Sequence, residues 1–162
     1  ERIPALPIYV PATGDAEAPT DDSAAAFPYH LIGYHGRQST HSSFANVDEL
    51  QALSPRELSM NPLDAARDGL AQGDTVVVES PRGALVTRLR VTPRIMPGVV
   101  ALPQGAWHDA DMEGSRLDWG GCINTLTTAT PTRWAHANAH NTCRVGVRHL
   151  SAPELEELRR RG

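Results

Sequence analysis

The sequence predicts a mainly β fold, a small barrel with a few short helices. Short apolar runs alternate with single Pro and Gly residues, as strands alternate with turns. Helical patterns are few, and the polar loops are long. The 162 residues have the usual length of one domain, and no linker interrupts the region 54–147. We therefore expect one barrel around one hydrophobic core.

The N-terminal segment 1–26 is rich in Pro, Ala and Asp, which is typical of a linker between domains. The apolar cluster from Phe27 to Ile32 then predicts a first strand. A polar loop with two glycines follows at 33–43. We place the start of the barrel domain, 27–150, at this first strand.

A two-turn helix is predicted between Asn61 and Gly69. Asn61 suits the N-cap, Pro62 the first helical position, and Asp64 the first turn near the positive end of the helix dipole. Gly69 suits the residue after the C-cap, where a positive φ angle is common.

The rest of the chain predicts mostly strands. A β-branched run and a partly alternating run flank the turn 81–83, which indicates a hairpin. The predicted elements are strands at 75–78, 85–91, 99–102 and 144–150, a long functional loop at 104–124, and a tail at 151–162 that is a short helix or disordered.

Composition excludes several classes of protein. No stretch approaches the roughly 20 apolar residues that span a bilayer. The net charge of −4 and the pI near 6.0 argue against a nucleic-acid-binding surface. Two cysteines are too few for a disulfide framework. We therefore expect no direct membrane insertion and no nucleic-acid partner.

The polar loop that follows the first strand is one candidate for ligand binding. Arg37, Ser39, His41 and Ser42 supply a cation, hydroxyls and an imidazole, and the surrounding backbone adds amides. Such groups contact a phosphate and a sugar. The alternative is a solvated turn.

Asn61 and Asp64 form the second candidate. A carboxylate can accept two parallel hydrogen bonds from the Watson–Crick edge of a guanine. The alternative is that both residues only cap the helix.

The third candidate combines glycines, amides and rings. Gly120 and Gly121 permit close approach of the backbone to a ligand, and Asn124 and Asn138 can donate and accept hydrogen bonds at a base or pterin edge. His140 lies near Asn138 in the sequence. Trp107 could stack on a ring or pack in the core.

A zinc-stabilised structural module is a competing interpretation. Cys122, His136, His140 and Cys143 are four residues of the types that bind zinc, and three of them are closely spaced. A protein-binding module with no cofactor is a further alternative, because a fold does not determine a function.

Taken in order, several segments resemble the C-terminal domain of the dimethyl sulfoxide reductase family, particularly its anaerobic, membrane-associated type. The resemblance covers about 27–150, and the residues at 3–7 resemble what precedes this domain. The segments that carry it are 40–47 (THSSFANV), 61–65 (NPLDA), 91–102 (VTPRIMPGVVAL), 105–107 with Asp109, and 120–128 (GGCINTLTT).

The resemblance implies a six-stranded double-psi β-barrel that covers the guanine-dinucleotide ends of bis(molybdopterin guanine dinucleotide). It implies phosphate or ribose contacts from the loop 37–43, a guanine contact from Asp64, and contacts to a second dinucleotide or pterin from Asn124 and Asn138. Ser39 replaces the family's usual Arg, and Cys143 replaces an Asn.

The resemblance also implies what lies outside this chain. The parent enzyme would reduce dimethyl sulfoxide or a related S- or N-oxide. The molybdenum ligand would lie in its other domains, so the chain alone would lack the cofactor and activity. The expected partners are those domains, an iron–sulfur electron-transfer subunit and a membrane anchor subunit, at the extracytoplasmic face of a membrane.

Overall fold

The structure is a computed structural model that describes residues 6, 25–131, 136–138 and 140–161. Strands dominate these residues, as the sequence predicts. The elements in chain order are β1 (Tyr29–Tyr34), α1 (Asp48–Leu53), β2 (Glu57–Met60), α2 (Pro62–Arg67), β3 (Thr75–Ser80), β4 (Gly83–Val91), β5 (Val99–Pro103), β6 (Leu117–Asp118), a 3-10 turn (Ile123–Thr125), β7 (Arg144–His149) and α3 (Ala152–Arg161).

Six strands form a closed barrel in the order β2, β5, β1, β7, β3, β4, and the ring closes because β4 also pairs with β2. The short strand β6 pairs with β4 outside this ring. Two pairs within the ring are parallel, β1 with β5 and β2 with β4. Parallel neighbours require long crossover connections, which is why loops occupy so much of the chain.

The crossovers define the topology. β5 lies between β1 and β2, and β2 lies between β5 and β4. The connection from β1 to β2 and the connection from β4 to β5 therefore each pass a strand that lies between their ends. These two crossings make the barrel double-psi, and the predicted fold class is confirmed.

Apolar side chains that alternate along the strands fill the barrel. Tyr29 and Leu31 of β1 and Leu58 and Met60 of β2 are completely buried, while the residues between them are partly exposed. Cys143, just before β7, is also completely buried in this core. The period of two follows from the opposite directions of successive side chains in a strand.

Helix α2 confirms its predicted capping. The Asn61 side chain accepts a hydrogen bond from the Leu63 amide at 2.9 Å, Pro62 is the first helical residue, and Gly69 has a φ angle of 68°. The hairpin of β3 and β4 and the strands β1, β5 and β7 also lie where the sequence predicts them. Sequence reasoning did not predict α1 or β2.

The predicted tail is a helix that packs on the barrel. Arg148 of β7 donates two hydrogen bonds, of 2.8 and 2.9 Å, to the Glu154 carboxylate in the first turn of α3. Leu158 packs against a small apolar cluster that includes Val77 and Leu150. No helix among the described residues is long and apolar enough to cross a membrane.

Candidate functional site

Three loops meet at one edge of the barrel. β1 and β5 are parallel, so the loops that follow them leave from the same edge. The segment before β7 runs antiparallel to β1 and reaches this edge too, where the Asn141 side chain accepts a hydrogen bond from the Gly33 amide at 3.0 Å. The barrel topology therefore brings together segments that are about 100 residues apart in the sequence.

Two adjoining clefts open among these loops, and we call them the paired clefts. The first, of about 190 Å³, is lined by Gln104, Ile123, Asn124, Thr127, Asn138 and His140. The second, of about 170 Å³, shares Gln104, Ile123 and Asn124 and adds His41, Ser42, Gly105, Ala106 and Cys122. The fold thus brings together five of the predicted site residues: His41, Ser42, Asn124, Asn138 and His140.

The lining of the paired clefts is polar but carries no Asp, Glu, Lys or Arg among the described residues. Amide side chains such as Asn124 and Gln104 offer both a donor and an acceptor, which suits the edge of a heterocyclic base or a pterin. Gln104 begins the predicted functional loop 104–124, although the sequence analysis assigned no ligand contact to it. Its backbone amide donates to the Tyr34 carbonyl at 2.8 Å, which fixes it at the end of β1.

The loops after β1 and β5 are in close contact. Trp107 is 54% exposed, and its indole nitrogen donates to the Ser42 carbonyl at 3.1 Å. Gly105 has a φ angle of 99°, and a Cβ atom at this position would lie 1.9 Å from the His41 carbonyl oxygen. Only glycine permits this approach, so the second cleft depends on Gly105.

Asp118 organises the other side of the paired clefts. Its side chain is completely buried, and its carboxylate accepts four hydrogen bonds of 2.8 to 3.0 Å. The donors are the amides of Asp109, Gly120 and Cys122 and the hydroxyl of Thr125. The carboxylate therefore determines the path of the backbone that carries Asn124.

Sequence reasoning did not identify Asp118. An Asp followed closely by two glycines is typical of a side chain that accepts hydrogen bonds from nearby backbone amides, and this signal was available in the sequence. The glycines also have a packing role, because a Cβ atom on Gly120 would lie 1.9 Å from the Trp107 carbonyl oxygen.

The remaining predicted residues of the first loop do not line the paired clefts. Arg37 is exposed on the loop after β1. Ser39 lines a separate slot of about 20 Å³ beside Phe44 and Gln104. Their contacts with a phosphate or ribose stay predictions.

Asn61 and Asp64 lie away from the paired clefts, and both side chains are buried. The Asn61 side chain donates to the Ile95 carbonyl at 2.6 Å. One oxygen of Asp64 accepts a hydrogen bond from the Gly98 amide at 2.6 Å, and the other lies 3.3 Å from the Arg67 guanidinium. These contacts favour the capping alternative, and the guanine contact of Asp64 stays a prediction.

The zinc alternative fails on geometry. Cys143 is completely buried, and its thiol faces the Leu126 carbonyl oxygen at 3.0 Å. Within the part of the chain that the structure describes, no three His, Cys, Asp or Glu residues are arranged to hold a metal ion. The competing zinc tetrad of Cys122, His136, His140 and Cys143 therefore does not form a site in the described residues.

Comparison with known proteins assigns this barrel to a family. The family model of the molydopterin dinucleotide binding domain matches residues 29–144, from the first strand of the barrel to the start of the last. The chain belongs to this family. This match and the relatives described next together confirm the resemblance to the C-terminal domain of the dimethyl sulfoxide reductase family.

The molydopterin dinucleotide binding domain has close relatives in Escherichia coli (strain K12). The chain is 41% identical to the putative dimethyl sulfoxide reductase chain YnfE over 93% of this chain and 18% of that protein. It is 43% identical to the dimethyl sulfoxide reductase DmsA over 90% of this chain and 17% of that protein. The chain therefore spans less than a fifth of the length of these curated relatives.

A solved structure shares the fold of this dinucleotide-binding domain. The acetylene hydratase from Pelobacter acetylenicus superposes with a TM-score of 0.70 at 16% identity, over 90% of this chain and 21% of that chain. At this identity the likeness concerns the fold alone.

Proposed function

We propose that this molybdopterin dinucleotide-binding domain recognises the guanine form of the cofactor, bis(molybdopterin guanine dinucleotide), through the paired clefts. The observation that carries the proposal is the lining of these clefts, with neutral amides on loops that the fold holds in fixed positions. Guanine presents both donors and acceptors on its edge, and amide side chains match both.

The residues present fit such a ligand. Gln104 and Asn124 are shared by both clefts and would contact a base or pterin edge, with Asn138 and His140 beside them. Ser42 and His41 lie in the second cleft, where a hydroxyl and an imidazole suit a ribose or phosphate. Gly105 leaves room for backbone contact with the ligand.

The role of this chain is to bind and orient the cofactor. When bound, the molybdenum of the cofactor supplies the two-electron chemistry of oxygen-atom transfer. The side chains of Gln104 and Asn124 would orient the dinucleotide by hydrogen bonds, and Trp107, which is exposed beside Ser42, would stack on a ring of the ligand. Arg37 and Ser39 are proposed as outer contacts to a phosphate.

The parent enzyme is proposed to reduce dimethyl sulfoxide or a related S- or N-oxide, as the names of the E. coli relatives suggest. The proposed partners are the other domains of a catalytic subunit, an iron–sulfur subunit and a membrane anchor subunit on an extracytoplasmic face. The chain by itself is proposed to hold no cofactor and to have no turnover.

Isothermal titration of the chain with GMP tests the proposal. GMP should bind more tightly than AMP, and Asn124→Ala should weaken GMP binding about tenfold, as expected for the loss of one or two hydrogen bonds. Asn46→Ala is the matched control, because Asn46 is exposed and lies outside the paired clefts.

Two results would contradict the proposal. One is equal binding of GMP and AMP, which would exclude recognition of the guanine edge. The other is equal GMP affinity in the Asn124→Ala and Asn46→Ala variants, which would place the binding site elsewhere. Asp64→Ala distinguishes its two interpretations, since a cap residue changes stability and a guanine contact changes affinity.

A further inference from the structure

The C-terminal helix α3 contacts the loop between β5 and the 3-10 turn at two residues. The Trp119 indole nitrogen donates to the Glu157 carboxylate at 2.8 Å. The Arg161 guanidinium donates to the Asp109 carboxylate at 3.0 Å and lies 5.3 Å from the centre of the Trp119 ring. Helix α3 therefore holds two points of this loop with charged groups and a cation–π contact.

Asp109 and Trp119 lie together at the two ends of the segment 109–119, which we call the excursion. The Trp119 amide donates to the Asp109 carbonyl at 2.9 Å, so the backbone closes between them. The Asp109 amide donates to the buried Asp118 carboxylate at 2.8 Å. Because Asp118 also binds the amides of Gly120 and Cys122, the base of the excursion and the turn that carries Asn124 share one acceptor.

The same base is in contact with the second cleft. Gly120 packs so closely on the Trp107 carbonyl that no side chain would fit, and the Trp107 indole donates to Ser42 in the cleft. Contacts therefore run without a gap from α3, through Trp119 and Asp118, to residues on both sides of the paired clefts. When its members are held in one arrangement, such a series of contacts can couple the position of α3 to the conformation of the loops at the paired clefts.

The solvent exposure of the side chains on α3 distinguishes the contacts of Glu157 and Arg161 from an ion pair that lies in solvent. Glu157 is 14% exposed and Arg161 is 34% exposed in their ion pair of 3.7 Å. Asp109, the carboxylate that Arg161 contacts, is 65% exposed, so the most buried contact of α3 with the loop is that of Glu157 with the Trp119 indole. By contrast, the pair of Glu156 and Arg159 on the same helix is 68% and 74% exposed. Partly buried charged hydrogen bonds restrict a loop far more than solvated pairs do.

We propose that α3 is a clamp that preorganises the cofactor-binding loops, with Glu157 and Arg161 as positioning residues. They touch no part of the paired clefts but limit the motion of Asp109 and Trp119, and thereby of the segment that Asp118 organises. A preorganised loop binds its ligand more tightly because less ordering is required on binding. The effect on affinity rests on the function proposed above, whereas the effect on loop motion does not.

The test compares two double variants of the chain. Glu157→Ala with Arg161→Ala removes the clamp, while Glu156→Ala with Arg159→Ala removes the same charges from the exposed face of the same helix. Hydrogen exchange of the Asp109, Gly120 and Cys122 amides should rise about tenfold in the first variant, and GMP affinity should fall about threefold to tenfold. Neither quantity should change in the control.

A conservative variant separates positioning from simple loss of stability. The single variant Glu157→Gln keeps Arg161 and an oxygen that can accept from the Trp119 indole. Its amide exchange and GMP affinity should therefore be closer to those of the unchanged chain than to those of the clamp variant. The contacts of Arg148 with Glu154 remain in every variant and keep the start of α3 attached. Far-UV circular dichroism should therefore show the same helix content throughout.

The outcomes are distinguishable. Unchanged exchange of the three amides in the clamp variant overturns the clamp, whatever GMP does. Faster exchange with unchanged GMP affinity also overturns it, because the loops would then be ordered without benefit to binding. If the unchanged chain binds no GMP, the proposed function fails, and the exchange measurement still decides whether α3 restrains the loops.

Discussion

Replacing Asp118 by Asn should destabilise this chain more than most single substitutions, although it exchanges one atom for another of similar size. The Asp118 carboxylate is completely buried and accepts hydrogen bonds at both oxygens. One oxygen accepts from the Asp109 and Gly120 amides, and the other from the Cys122 amide and the Thr125 hydroxyl. An Asn side chain retains only one acceptor oxygen.

The magnitude follows from the orientation that an Asn side chain would choose. Its NH₂ group fits best beside Thr125 and Cys122, because the Thr125 hydroxyl can rotate and accept, whereas the Cys122 amide cannot. The Cys122 amide then loses its acceptor and faces an N–H of the new side chain, so two buried N–H groups are left unpaired, at about 1–3 kcal/mol each before any relaxation of the loop. We expect the free energy of unfolding to fall by about 2–4 kcal/mol.

Equilibrium unfolding in urea measures this loss. With a slope near 2 kcal/mol per molar urea, the midpoint should fall by about 1–2 M at an unchanged slope. Thr125→Val is the graded comparison, since it removes one of the four donors and should cost about 1 kcal/mol. An Asp118→Asn midpoint within about 0.3 M of the unchanged chain would refute the view that this carboxylate organises the loop.

Two further predictions concern the loop contact and the last helix. Gly105→Ala should cost about 2–4 kcal/mol and abolish GMP binding, because the new Cβ would collide with the His41 carbonyl at a φ angle of 99°. Gly69→Ala, at a φ angle of 68° in open space, should cost only about 1 kcal/mol, and equilibrium unfolding in urea measures both losses. The Arg148 guanidinium lowers the pKa of Glu154 from 4.5 to about 2. A depressed carboxylate pKa stabilises the fold above pH 4.5, and this stability is lost as the pH falls toward 2, by about 1 kcal/mol after allowance for the solvent exposure of Arg148. Urea midpoints measured from pH 6 to pH 2 should therefore fall less in Glu154→Gln than in the unchanged chain.

The control variants define a result that would contradict each of these predictions. Equal losses of stability in Gly105→Ala and Gly69→Ala would show that the loops do not meet as the structure has them. Parallel pH profiles in the Glu154→Gln variant and the unchanged chain would show that the contact with Arg148 contributes nothing to folding.

Local patterns in the sequence determined much of the fold. The cap at Asn61, the hairpin of β3 and β4, and the strands β1, β5 and β7 were predicted because each depends on residues that are neighbours in the chain. The ordered motifs between Thr40 and Thr128 were sufficient for the family, and the family implied the closed barrel. Five of the eleven residues that line the paired clefts were predicted as ligand contacts, because polar side chains in long loops are typical of ligand binding.

Other features depend on contacts that no local pattern reports. Strand β2 has only four residues, and it forms because β4 and β5 pair with its two edges. Asp118 was missed because its importance comes from complete burial among four donors, and burial is a tertiary property. The Asp64 carboxylate accepts from the Gly98 amide, 34 residues away, and no local pattern reports this contact, which favours the capping interpretation; the guanine contact of Asp64 stays a prediction.

The sequence by itself therefore determined the type of most local elements, the family, and the polar character of the loops that line the paired clefts. Only the tertiary structure decided which polar side chains line the paired clefts and which are occupied in holding the fold together. The physical reason is that a hydrogen-bonding group serves a ligand only if the protein leaves it unpaired. Its partners in this barrel come from distant parts of the chain that the parallel strand pairings bring to one edge.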